Sequence, residues 1–111
     1  MAVRHLNVEV RLEPDVAVLD LMGEINGFAE DALNAAYAEA DAKDTKTILL
    51  NFEGVDYINS TGIALIVGLL ARARADRIAV RALGLTDHYR HIFEITRLSD
   101  FIEIVQPATA P

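Results

Sequence analysis

A serine stands in a short polar segment with the order Asn59-Ser60-Thr61-Gly62. A serine hydroxyl becomes the nucleophile of a hydrolase when a turn with glycines on both sides of it presents it at the end of a strand. This segment lacks the first of those glycines, and the chain contains only one other serine, Ser99. The sequence therefore disfavours a hydrolase, and we expect no catalytic residue.

A second group with the spacing of metal ligands is formed by His88, His91 and Glu94. Residues three apart share one face of a helix, so these side chains could point toward one ion. A protein metal site normally takes three or four well-placed ligands, and no second cluster supplies more. The favoured interpretation is an exposed polar helix face, and no metal is expected.

The glycines do not form a phosphate-binding loop. A dinucleotide site requires G-x-G-x-x-G and a nucleoside triphosphate loop requires Gly-Lys-Ser/Thr, and the 6 glycines of the chain match neither pattern. No cofactor is therefore expected.

The elements that must position these residues alternate between strands and helices. Val8, Val10 and Leu12 alternate with polar residues and precede Pro14-Asp15, which predicts a hairpin. The elements predicted after the hairpin are a helix over residues 28–43, a strand over 47–52, a helix over 63–75, a strand over 78–83, a helix over 87–96 capped by Thr86, and a strand over 102–105. Apolar residues at helical spacing, Phe28 among them, predict the first helix, and the continuous apolar run 47–52 predicts a strand buried on both faces. The fold class is α/β, a mixed β-sheet flanked by α-helices in the order β-β-α-β-α-β-α-β.

Two interpretations apply to the loop that begins at Asp56 and to the helix after it. A hydroxyl at the helix entrance caps free backbone N–H groups, which is a purely structural role. Alternatively, the helix docks a partner, because its period leaves Leu65 and Leu69 facing away from the sheet. The residues expected to face the sheet are Ile63, Ile66, Val67 and Leu70.

Length and charge limit the architecture and the partners. The 111 residues allow a single domain, 1–111, with its core at about residues 8–105 and a frayed tail at 106–111. The net charge of -7 disfavours nucleic acid and anionic membranes. The chain has no cysteine and no long apolar segment, so we expect a cytoplasmic protein.

Several segments together resemble the STAS domain of bacterial anti-sigma factor antagonists. Residues 51–64 are similar to the family's strand, Asp-Ser-Ser/Thr-Gly motif and apolar helix. Residues 23–26, Gly-Glu-Ile-Asn, resemble its Gly-Glu-Ile/Leu-Asp element, and residues 92–96 and 98–104 resemble its third helix and closing strand. The resemblance covers nearly the whole chain.

This resemblance implies a non-catalytic switch protein that sequesters a serine-kinase anti-sigma factor and so frees a sigma factor. The kinase would phosphorylate Ser60, and a metal-dependent serine phosphatase would reset it. The alternatives are a STAS scaffold that works without phosphorylation in a stress-signalling complex, and a nucleotide-binding STAS domain.

The partner-binding residues that the resemblance and the docking interpretation together predict are Asn26, Tyr57, Asn59, Ser60, Thr61, Gly62, Leu65 and Leu69. Asn26 and Asn59 stand where the family has aspartates. A carboxylate there would assist phosphate transfer or meet a basic kinase surface, or it would only bond the local backbone, which asparagine does nearly as well.

Overall fold

A five-stranded mixed sheet is the centre of the fold. The structure, a computed structural model, describes residues 5–105. The sheet order is β1-β2-β3-β4-β5, with the first pair antiparallel and the later pairs parallel. The strands are β1 (Asn7–Glu13), β2 (Val16–Ile25), β3 (Thr47–Ile58), β4 (Ala79–Leu83) and β5 (Glu103–Val105).

Three α-helices connect the parallel strands. They are α1 (Glu30–Asp41), α2 (Ser60–Ala75) and α3 (Asp87–Ile95), with single turns of 3-10 helix at Gly27–Ala29 and Leu98–Asp100. Each parallel strand lies one place further along the sheet in the same direction. Right-handed crossovers then place all three helices on one face. The predicted α/β class and element order are confirmed.

The prediction that residues 47–52 form a strand buried on both faces is wrong. Leu50 and Phe52 point toward the helices and are fully buried, whereas Leu49 and Asn51 on the opposite face are only half-buried. The apolar run suggested two covered faces, but the direction of the crossovers places every helix within residues 5–105 on one face of the sheet, that of Leu50 and Phe52.

The second face carries a polar cluster beside the apolar residues Val18 and Leu49. The Arg11 guanidinium donates to Asp20 through Nε at 2.6 Å, and Asn51 Nδ2 donates to the same carboxylate at 2.9 Å. The hydrogen bond from Arg11 holds the pKa of Asp20 below its usual range, and the bond from Asn51 acts in the same direction. This charged pair and the amide that bonds it therefore lie on the face of the sheet that the helices do not cover.

Several element boundaries differ from the sequence predictions. Strand β3 continues to Ile58 because β2 runs beside it as far as Ile25. The polar residues after Phe52 did not indicate this continuation. Helix α2 begins at Ser60, three residues earlier than expected. Only Asn59 therefore separates the end of a strand from the start of a helix.

The two longer helices are joined by one buried tyrosine. The Tyr37 hydroxyl of α1 donates to Asp76 Oδ2 at 2.5 Å, directly after α2, and the Arg72 guanidinium lies 4.3 Å from the centre of the Tyr37 ring. Burial raises the pKa of Tyr37, and the hydrogen bond to Asp76 raises it further. This contact fixes α1 against the far end of α2.

Within residues 5–105, no helix has both the length and the apolar character required to cross a membrane. The predicted frayed tail, residues 106–111, lies outside the described residues.

Candidate functional site

The candidate site lies where the two central strands end. The backbone N–H of Asn59, just after β3, donates to the carbonyl oxygen of Ile25 at the end of β2, at 3.1 Å. This bond brings the two segments that follow the strands, Asn26-Gly27 and Asn59-Ser60, next to each other. Ligand sites of parallel sheets commonly form at this carboxyl edge.

Asn59 is the N-cap of α2. Its backbone is extended, and its Oδ1 accepts a hydrogen bond from the N–H of Gly62 at 2.8 Å. The structural interpretation, in which a serine or threonine hydroxyl caps this helix, is therefore wrong. The sequence alone did not show whether Asn59 or a hydroxyl of the next two residues caps α2, because asparagine and serine are about equally good caps.

Ser60 is the first residue of α2, and its side chain is exposed. Among residues 5–105, no side chain or backbone group hydrogen-bonds its hydroxyl. The fold thus makes no use of this hydroxyl, and it is open to a reaction or to a partner.

Asn26 has the same capping role in the segment that follows β2. Its Oδ1 accepts from the N–H of Phe28 at 2.9 Å and caps the 3-10 turn, while its Nδ2 lies 3.4 Å from Glu24 Oε2. Asn26 is only 9% exposed. Both asparagines therefore bond the local backbone, a contact that an aspartate would make equally well.

Gly62 allows α2 to start directly on β2. A Cβ atom at this position would lie 2.0 Å from the carbonyl oxygen of Ile25, far inside van der Waals contact. A Cβ at Gly27 would lie 3.5 Å from the Thr61 methyl group, which is ordinary contact. Gly62 is therefore the residue that brings the two segments together.

Two exposed aromatic side chains flank the site. Tyr57 shortly precedes the Asn59-Ser60 segment in the chain, and Phe28 directly follows the neighbouring segment, Asn26-Gly27. Phe28 is 81% exposed and Tyr57 is 52% exposed. The prediction that Phe28 begins the first helix and belongs to its apolar pattern is wrong, because Gly27–Ala29 is a separate 3-10 turn before α1. Asn26, a cap two residues earlier, was the signal that could have revealed this turn.

The predicted orientation of α2 is also wrong for some of its residues. Leu69 is only 8% exposed and belongs to the core, and Leu65 is half-buried against it, whereas Val67 is 44% exposed. The reason is that α1 covers the side of α2 that the sequence period left open. A groove of about 300 Å³ remains between α1 and α2, and its lining includes Leu33, Leu65, Gly68 and Leu69.

The histidines of α3 do not belong to the site. His88, His91 and Glu94 are exposed on that helix. In the described portion of the chain, no three histidine or carboxylate side chains are placed to hold a metal ion.

Comparisons with known proteins agree with this arrangement. The STAS domain family model matches residues 7–109. The anti-sigma-B factor antagonist of Staphylococcus aureus (strain NCTC 8325 / PS 47) is 28% identical over 100 residues, which are 90% of this chain and 93% of that protein. Its counterpart in Listeria monocytogenes serovar 1/2a is 29% identical over 102 residues, 90% of this chain and 89% of that protein.

A solved structure, the Bacillus cell fate determinant SpoIIAA in its phosphorylated form, aligns with a TM-score of 0.67 at 22% identity and covers 90% of this chain and 90% of that chain. This likeness establishes the fold.

Proposed function

Because the chain belongs to the STAS domain family, we propose that it is an anti-sigma factor antagonist that binds its partner around Ser60 and is switched off by phosphorylation there. The curated relatives are anti-sigma-B factor antagonists, which supports the first half of this function. In this proposal the whole chain, residues 1–111, acts as one domain in the cytoplasm, without a cofactor and without catalysis of its own.

The observation that carries the proposal is the exposed hydroxyl of Ser60, which the fold does not need. Phosphate would add about 1.5 to 2 negative charges at that position. In the first turn of a helix, the N–H groups of the first residues have no partner inside the helix, and α2 has no acidic residue there. An anion is therefore compatible with this helix end. Phosphorylation would change the surface that a partner meets while the fold stays intact.

The proposed partner surface extends outward from this serine. Tyr57 and Thr61 offer exposed side chains, Asn26, Asn59 and Gly62 hold the backbone in shape, and Leu65 lines the neighbouring groove while Leu69 supports it from the core. Phe28, which the sequence pattern did not indicate as a partner-binding residue, joins this set. Aromatic side chains that are exposed in the free protein commonly become the anchors of an interface.

The two proposed partners are a serine-kinase anti-sigma factor, which binds and phosphorylates the chain, and a metal-dependent serine phosphatase, which removes the phosphate. The kinase would bind this chain at the residues around the serine that it phosphorylates, so each phosphorylation event would also end the complex. The phosphatase would restore the exposed hydroxyl and with it the binding surface.

The experiment that tests this function combines the native protein with serine-kinase anti-sigma factors from its own genome and ATP. We expect one phosphate per chain, located on Ser60 by mass spectrometry and absent from Ser60→Ala. Phosphate on Thr61 or Ser99 would contradict the site. Tight binding of a kinase without any phosphate transfer would contradict the switch and favour an unphosphorylated scaffold.

Phe28→Ala is expected to weaken binding of the anti-sigma factor by at least about 1 to 2 kcal/mol, because truncation of an aromatic anchor costs about this much or more. The melting temperature should change little, since the ring is 81% exposed. Titration calorimetry and thermal melting measure the two effects separately.

Leu12→Ala is the matched control for this change. Leu12 is also an exposed apolar residue, but it pairs with Ala17 near the start of β2, at the opposite end of the sheet from Asn26. Its truncation should leave the affinity unchanged. Equal losses in the two variants would place Phe28 outside the interface.

A further inference from the structure

Strand β3 extends beyond its neighbour β4. The pairing of β3 with β4 covers Thr47–Asn51 only, whereas its pairing with β2 continues to Ile58. Among the described residues, the last part of β3 therefore has a strand on one side and none on the other.

The direction of the backbone amides at this end is set by one hydrogen bond. The N–H of Asn59 points to β2, where it donates to the carbonyl oxygen of Ile25. Successive residues of an extended chain direct their N–H groups to opposite sides, so the N–H of Ile58 points to the side that β4 has left empty. Ile58 is buried, and a buried amide without a partner is costly.

The hydroxyl of Tyr89 occupies this position. Its oxygen accepts the hydrogen bond from the N–H of Ile58 at 2.9 Å, across 31 positions in the sequence. Tyr89 is in the first turn of α3, where its own N–H donates to the cap residue Thr86 at 3.3 Å. One side chain of α3 thus replaces the missing strand.

We propose that Tyr89 is a positioning residue for phosphorylation, which holds the Ile58-Asn59-Ser60 segment in place through the backbone of Ile58. The segment is held on both sides, by the Ile25 carbonyl from β2 and by the Tyr89 hydroxyl from α3. Ser60 follows two residues after the second contact. The consequence for phosphorylation rests on the proposed function, whereas the positioning of the segment does not.

Phosphoryl transfer depends on the placement of the attacking oxygen. Reacting atoms must approach to about 3 to 3.5 Å in line, and a displacement of about 1 Å can cost about a hundredfold in rate. Loss of one of the two contacts would let the segment move toward or away from α3. The rate of phosphoryl transfer should then fall by a larger factor than the affinity for the kinase.

The test compares Tyr89→Phe with Tyr37→Phe. Each change removes one tyrosine hydroxyl with one hydrogen bond, but Tyr37 bonds Asp76 at the far end of α2. Thermal melting reports how much overall stability each variant loses. Amide hydrogen exchange, followed by NMR at Ile58, reports the local effect without any partner. We expect exchange at Ile58 to rise about tenfold in Tyr89→Phe beyond what its melting shift explains, and not in Tyr37→Phe.

The second readout is the kinetics of phosphorylation by the serine-kinase anti-sigma factor. We expect kcat to fall about tenfold in Tyr89→Phe with KM within about twofold of native, and both constants to be native in Tyr37→Phe. The proposal is overturned if exchange at Ile58 is native in Tyr89→Phe, if both variants change alike, or if kcat is unaffected. A native protein that no kinase phosphorylates would refute the proposed function and the kinetic role of Tyr89, whereas exchange at Ile58 would still show whether its hydroxyl holds the segment.

Discussion

Phosphorylation of Ser60 is expected to lower the affinity for the anti-sigma factor a few hundredfold, and Ser60→Asp about ten- to thirtyfold. A phosphate that clashes with a desolvated interface costs on the order of 3 to 4 kcal/mol, and aspartate carries about half of its charge. Ser60→Ala should bind as tightly as the native chain. Its melting temperature should also be native, because Asn59 caps α2 and the Ser60 hydroxyl does not.

The control for this series is Ser60→Asn, which has the size of aspartate without its charge. Titration of the five forms (native, phosphorylated, Asp, Ala and Asn) against the anti-sigma factor should rank their affinities by the charge at position 60 alone. If Asn weakens binding as much as Asp does, the effect is steric and the electrostatic account of the switch is wrong. If all forms bind equally, the serine lies outside the interface.

Gly62→Ala is expected to destabilise the fold by about 3 kcal/mol or more, which is at the upper end of overpacking effects. The added methyl group would lie 2.0 Å from the Ile25 carbonyl oxygen, which is backbone and has no rotamer to change. Relief requires the start of α2 to move away from β2. Such a movement would lengthen the bond from the Asn59 N–H to Ile25 and separate the two segments of the site. Urea unfolding measures the loss.

Gly68→Ala is the matched change on the same helix. Apart from its chain neighbours and the backbone of its own helix, no described atom lies within 4 Å of the added methyl group, so the substitution is expected to stabilise the protein by about 0.5 to 1 kcal/mol through helix propensity. Changes of opposite sign in the free energy of unfolding for Gly62→Ala and Gly68→Ala would confirm the close contact at Gly62. A Gly62→Ala protein as stable as the native one would refute it.

Local patterns predicted the architecture well. The alternation of Val8, Val10 and Leu12 predicted a strand, and the apolar spacing in 63–75 predicted a helix. These patterns gave the correct order of elements because side chains repeat every 2 residues in a strand and every 3.6 in a helix. The right-handed crossover rule then left few ways to wind the sheet. The polar segment around Ser60 was likewise visible in the sequence, but the prediction that it is a loop between a strand and a helix is wrong, because β3 continues to Ile58 and α2 begins at Ser60.

The orientation of individual side chains was predicted less well. Phe28 was counted in the apolar pattern of the first helix and is exposed, and Leu69 was expected to face away from the sheet and is buried. A helical period gives the relative angles of residues on one helix, but which face is covered depends on the neighbouring elements. For α2 that neighbour is α1, whose position the period of α2 does not contain.

The sequence by itself determined the α/β order, the serine segment and the resemblance to STAS domains, since each of these depends on residues close together in the chain. Only the tertiary structure decided which asparagine caps α2, which leucine joins the core and which side chain holds the end of β3. The bond from Ile58 to Tyr89 joins residues 31 positions apart. It exists because β3 continues past the end of β4, and strand length relative to a neighbour is a property of the assembled sheet.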